Sequence, residues 1–267
     1  GRPERFVDWQ KLFLAELGDE DWRVVVRRWA TRFAPGLAGV ATHGVIRTAH
    51  AVRAIAGREN EIRRLELATG LAYWAAFYEE LPWNGEVAAR ASVAEALALV
   101  ETRRPALAPP EGNIVTGLRS LAKTSSFAGV AGLVDTSDPA GTLSQITAAF
   151  AGVYLRNPSH RVHFAHAVTA PSSLRLIAPY LGDEAVEAAT RYAWQAAAGL
   201  YVVYGDPAGA MPEGAQGEAR DAIVRAAVEN GAEHAIKLTE ACLREDVAAP
   251  NAVFLHAARD AAHRLRG

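Results

Sequence analysis

Apolar residues recur at three- and four-residue spacing along almost the whole chain, while alternating patterns bounded by turn residues are nearly absent. The pattern predicts an all-α fold. "DEDWRVVVRRWATRF" opens with acidic residues suited to a helix N-terminus and stops at "APG", where Pro35 and Gly36 punctuate. A second helix is predicted from about Leu37 to Ala56, ending before Gly57, and "ENEIRRLELATGLAYWAAFYEEL" reads as a third, with Pro82 beyond its end. "VAARASVAEALALVETRR" follows in the same style. "DPAGTLSQITAAFAGVYLRN", "SHRVHFAHAVTA" and "PSSLRLIAPYL" continue the series, and "GDEAVEAATRYAWQAAAGLYVVYG" predicts a long, very apolar helix. The last two are "EARDAIVRAAVENGAEHAIKLTEACLRE", broken near Gly231, and "NAVFLHAARDAAHRLR".

Two stretches interrupt the helical period. "PALAPPEGN" is a proline-rich connection, read as a loop within one domain because the same pattern resumes on both sides. "DPAGAMPEGAQG" is a second long loop and a candidate lid. The expectation is a single all-helical domain over residues 1–267, with a metal site between helices and no repeat of fixed length.

Half of the 267 residues are hydrophobic and 22% are charged, which excludes a disordered chain. Lysine plus arginine total 28 against 30 acidic residues, so no field gathers nucleic acid or an anionic membrane surface. No uncharged apolar run of about 18 residues is present to span a membrane. The single cysteine, Cys242, excludes an internal disulfide framework and reads as a small buried hydrophobe in a reducing, cytoplasmic setting. The opening "GRPERFVDWQ" looks like the middle of a protein rather than a natural start. The sequence leaves room for a homo-oligomer.

The histidines carry the candidate chemistry. His43 and His50 lie seven apart in "THGVIRTAHAVRAI", two turns along one helix face, with Arg47 between them. His160, His163 and His166 drift around their helix at three-residue spacing, so not all three converge, and His166 has the most apolar setting. His234 stands one turn from Lys237 in "GAEHAIKLTEACL". His160, His256 and His263 read as ordinary core or surface residues. Imidazoles projected from several helices into a bundle interior are how such folds hold a metal. Lys237 is out of place beside them as an ammonium, which repels a metal and is costly to bury. Either it snorkels its charge to water, or burial makes the neutral amine accessible to carbon dioxide, giving a carbamate oxygen ligand.

Other chemistries lack their motifs. The chain has no GxGxxG after a strand, no GxxxxGK[ST], no GxSxG and no HExxH, and no predicted parallel sheet to hold a nucleotide. "FAGVAGLVD" has glycines at the wrong spacing and reads as helix packing. Cys242 has no clear partner for nucleophilic catalysis.

"THGVIRTAHAVRA", "RLELATGLAYWA", "HAVTAPSSLRLIAPYL" and "EHAIKLTEACLRE" resemble the questin oxidase-like family, whose fungal members act on anthraquinone-type polyketides. The likeness runs from about Trp22 to Glu245, and HxVT and HxxK are its most specific elements. It implies an all-helical oxygenase with non-haem iron held by histidines from separate helices and a carbamylated lysine. Carried over residue by residue, His166 stands in HxVT, His234 and Lys237 stand in HxxK, and His43 stands in the early "HG/HP" element. His50, on the face of His43, is an alternative or additional ligand. Family members also carry an Asn-His pair in an earlier segment, which has no counterpart ahead of "GRPERF".

The resulting expectation is Fe(2+), with Mn or Zn as alternatives, bound by His43, His50, His166, His234 and Lys237, and acting with dioxygen on an aromatic small molecule. Ring cleavage or Baeyer–Villiger-like insertion would be the reaction. Arg47 would either hold a phenolate or carboxylate of the substrate or make a helix-surface ion pair. The rivals are an NADPH-dependent monooxygenase of the same substrate class and a non-catalytic helical scaffold or ligand-binding protein.

Overall fold

The computed structural model describes residues 1–87, 90–103, 111–212 and 218–266. Among them the all-α expectation holds. Twelve α-helices account for most of the described residues, and the only β pairing among them is a single bridge between Ala91 and Val134.

The first helix, α1 (Phe6–Asp19), was not anticipated, yet Trp9, Phe13 and Leu17 follow helical spacing and pack toward α2 (Trp22–Phe33). Phe13 meets Trp29 edge-on at 5.1 Å between ring centroids. Asp21 caps α2 by accepting from the Arg23 amide. The predicted helix from Leu37 is corrected in register. Val40, Ala41 and Thr42 all have positive φ (49°, 54° and 67°), so α3 (His43–Gly57) starts only at His43. α4 (Glu61–Ala76) is capped by Asn60 and ends five residues before the predicted stop at Leu81.

α3 and α4 pack unusually close. A Cβ on Gly44 would lie 2.8 Å from the Trp74 ring, and one on Gly70 would lie 3.1 Å from the Thr48 backbone. Small residues at the crossing let the two backbones approach.

α5 (Val93–Arg103) and the short α6 (Ile114–Ser120) flank the proline-rich connection, whose residues 105–110 lie outside the described residues. "FAGVAGLVD" packs on a helix rather than forming one, with Trp194 Nε1 donating to the Val130 carbonyl at 2.9 Å. It forms a 3-10 turn at Val130–Gly132 and then the bridge at Val134. α7 (Pro139–Arg156) follows, and α8 (Arg161–Ile177) runs unbroken through Pro171, where two separate segments were expected. Every residue from Phe164 to Leu174 is buried, so packing on all sides outweighs the roughly 3 kcal/mol cost of an interior proline.

α9 (Asp183–Tyr204) is the long apolar helix predicted. The second loop is free of helix from Gly205 to Pro212, and its residues 213–217 lie outside the described residues. α10 (Arg220–Asn230) ends on Gly231 at φ 72°, a left-handed C-cap, and α11 (Glu233–Ala248) and α12 (Ala252–Arg264) close the chain.

α8 is the axis of this arrangement, packing against α3, α7, α9 and α11. Glu245 of α11 is fully buried and accepts from Ser172 Oγ at 2.9 Å and Arg175 Nε at 3.1 Å, both on α8. On the other side Asp260 of α12 accepts from Tyr154 Oη at 2.9 Å and Arg161 Nε at 2.7 Å. Buried ion pairs of this kind fix register, because a slipped helix would strand a charge.

Candidate metal centre

Each histidine of the centre comes from a different helix: His43 from α3, His166 from α8 and His234 from α11. His43 is the first residue of α3, and His234 the second of α11, two helices that begin without a side-chain cap. His166 sits inside the buried stretch of α8 and is only 3% exposed. One ligand atom from each of the three lies within 4.8 Å of the other two, and this is the one such group of histidine, cysteine and carboxylate side chains among the described residues.

The left-handed turn ahead of His43 shapes this corner. Non-glycine residues in that conformation cost about 1–2 kcal/mol each. The turn brings the Val40 carbonyl to 2.8 Å from His43 Nδ1, which donates to it. That bond leaves Nε2 with its lone pair directed away, the tautomer a metal ligand needs. His166 and His234 face each other Nε2 to Nε2 at 3.3 Å. Two atoms each about 2.1 Å from a shared ion lie about 3.0–3.4 Å apart at octahedral or tetrahedral angles. The Nδ1 atoms of His166 and His234 are buried and make no hydrogen bond. Burial pushes all three imidazoles down in pKa, with neighbouring Lys237 adding to the effect, so they are neutral near pH 7. The donor set therefore fits a borderline divalent transition metal.

The other predicted residues surround the three without joining them. His50 lies two turns further along α3, its Nδ1 3.1 Å from an Arg53 guanidinium nitrogen. Arg47 forms a two-point ion pair with Glu66, at 2.9 and 3.1 Å, and its guanidinium lies 6.0 Å from the Tyr73 ring centre. Lys237 reaches toward water, the snorkelling alternative. Its side chain is 32% exposed, and Nζ reaches Glu233 Oε1 at 3.3 Å, a pairing natural one turn apart on a helix. Glu233 was missed in the sequence. Its Oε1 also lies 3.9 Å from His234 Nε2, and the Lys237 ammonium holds its carboxyl below the usual range.

A cleft of about 480 Å³ opens beside the cluster. His43, Arg47, His50 and Lys237 line it together with Tyr73 and the apolar Ile46. Burial raises the Tyr73 phenol pKa, and the Arg47 cation partly offsets that rise. Two of the histidines expected to be ordinary are elsewhere: His160 packs with His163 on Tyr204, and His263 lies 3.2 Å from Glu218. Cys242 is buried and free, its thiol pushed up by that burial. No helix among the described residues is long and apolar enough to cross a membrane. No family model and no curated protein matches the chain.

Proposed function

We propose that this protein is a mononuclear non-haem iron oxygenase that acts on a phenolic or quinone-like aromatic molecule held in the cleft beside His43. The observation that carries the reading is the convergence of three neutral imidazoles from three helices at the wall of an open cleft. Three histidines leave coordination positions free, which separates a catalytic centre from a closed structural one. The substrate class comes from the likeness of "THGVIRTAHAVRA", "HAVT" and "EHAIK" to the questin oxidase-like family, and the cleft suits it. Iron(II) held by these residues would supply dioxygen activation.

The protein's own part is placement. Ile46, Ala51 and Ala54 offer an apolar wall for a planar ring, and Arg47, His50 and Lys237 offer a cationic and hydrogen-bonding edge for its oxygens. Arg47 engages Glu66 through Nε and one terminal nitrogen, which leaves its other terminal nitrogen to donate to a phenolate.

The test is anaerobic loading of the purified chain with Fe(II), followed by dioxygen uptake against hydroxyanthraquinones, with and without NADPH. About one iron per chain and reductant-independent uptake are expected. NADPH-dependent uptake would favour the monooxygenase reading. A chain that takes up no metal and whose unfolding ignores chelators would leave a helical scaffold or ligand carrier.

A further inference from the structure

A divalent ion bound by three neutral imidazoles keeps its full charge in a partly buried setting, so an anionic ligand that compensates it is strongly favoured. Two side chains on α11 lie beside the cluster, Glu233 next to His234 and Lys237 paired with Glu233. Lys237 could supply the anion only as a carbamate, which consumes the amine that now pairs with Glu233 at 3.3 Å. Glu233 needs no chemistry.

The positions favour the glutamate. Glu233 Oε1 is 3.9 Å from His234 Nε2, inside the separation of about 4.2 Å that two ligands reach on opposite sides of one ion. As it stands the carboxylate lies outside the group of ligand atoms within 4.8 Å of one another, and because the side chain is 64% exposed a rotamer change toward the cluster breaks no buried packing. It is also the first residue of α11, where the helix leaves its early amides unpaired and an anion is favoured.

From this geometry we propose that Glu233 is the fourth, anionic ligand of the metal, completing a three-histidine, one-carboxylate set. Lys237 is its tether. In the absence of the ion the ammonium holds the carboxylate at the mouth of the centre, and on metal binding the carboxylate turns from Nζ to the ion. The inference rests on the three-histidine centre proposed above.

Titration of the metal-free chain with Co(II), read by its visible absorption and by competition with Zn(II), tests the proposal with and without added bicarbonate. Glu233→Gln is expected to weaken Co(II) binding by about 10–100-fold, the range for losing a strong partner of a metal site, and to shift the absorption bands. Lys237→Met is expected to keep affinity within about threefold, with no bicarbonate effect. Wild-type affinity in Glu233→Gln would overturn the proposal, and so would bicarbonate-dependent binding lost in Lys237→Met, which would assign the anion to the lysine carbamate. His166→Ala separates the two levels. If it binds Co(II) like the wild type, the three-histidine reading itself fails, whereas loss in His166→Ala with none in Glu233→Gln removes only the glutamate.

Discussion

His166 and His234 meet Nε2 to Nε2 at 3.3 Å across the α8–α11 interface, and the far nitrogen of each ring is buried without a partner. Folding alone gains little from such a pair. With an Nε2 lone pair presented by both rings the contact is repulsive, and each partnerless buried Nδ1 costs on the order of 1–3 kcal/mol, so the pair costs the metal-free fold stability.

Replacing His166 should therefore separate stability from metal binding. His166→Met fills a similar volume without a polar orphan, and the metal-free variant is expected to melt at or above the wild-type temperature. Zn(II) is expected to raise the melting temperature of the wild type and to leave that of the variant unchanged. Thermal unfolding with Zn(II) and with chelator measures both, and a variant still stabilised by Zn(II) would contradict the assignment.

The α8–α11 contact depends on Glu245. Glu245→Ala leaves Arg175 facing an emptied buried position, and a loss of about 3–5 kcal/mol is expected from urea unfolding. Metal affinity should fall as well, because the contact sets the spacing of His166 and His234. Unchanged affinity in a folded variant would mean that the spacing is fixed elsewhere.

The left-handed turn at Val40–Thr42 predicts opposite outcomes for two substitutions of one residue. Ala41→Gly relieves a strain of about 1 kcal/mol but loses a buried methyl worth about 0.8 kcal/mol, so stability should change little. Ala41→Pro cannot hold a φ of 54° and should cost about 3 kcal/mol or more. Equal behaviour of the two variants in urea unfolding would show that the turn is not left-handed.

Arg47 and Glu66 are both about half exposed, so their ion pair contributes only about 0–1 kcal/mol. Arg47→Met is expected to unfold like the wild type while binding a hydroxyanthraquinone at least tenfold more weakly at a pH where the phenol is ionised. Equal affinity by fluorescence titration would return Arg47 to a surface ion pair.

Acid should weaken the fold through His163. Its imidazole packs on Tyr204 and burial pushes its pKa down to about 4, against about 6.5 unfolded. The unfolded chain binds the proton first, so stability is fully present above pH 6.5 and is lost as pH falls through 4. His163→Phe, which keeps a ring against Tyr204, should flatten that dependence in metal-free protein, measured as urea midpoints at pH 7 and 4.5. An unaltered slope would place the acid sensitivity on other groups.

Helical periodicity made the fold class and most helix limits legible in the sequence, because burial on one face leaves a three- and four-residue rhythm whatever the neighbours are. His43, His166 and His234 stood out for their helical settings and their likeness to a known pattern. Three features were not legible in the same way. Proline read as a break at Pro171, but only packing around the whole circumference of α8 decides that the helix continues. Val40, Ala41 and Thr42 carry no signal for a left-handed turn, since none is glycine or asparagine, and the close approach of α3 to α4 lies in the same region. Glu233 carried no signal in the sequence, and only the packing of α11 sets its carboxylate beside an imidazole and an ammonium. The sequence by itself determined which residues form helices and which imidazoles are available, because those are matters of local spacing and chemistry. Tertiary structure alone decided that residues 68 and more positions apart put their nitrogens within 3.3–4.8 Å, because that depends on helix packing and buried charge pairs.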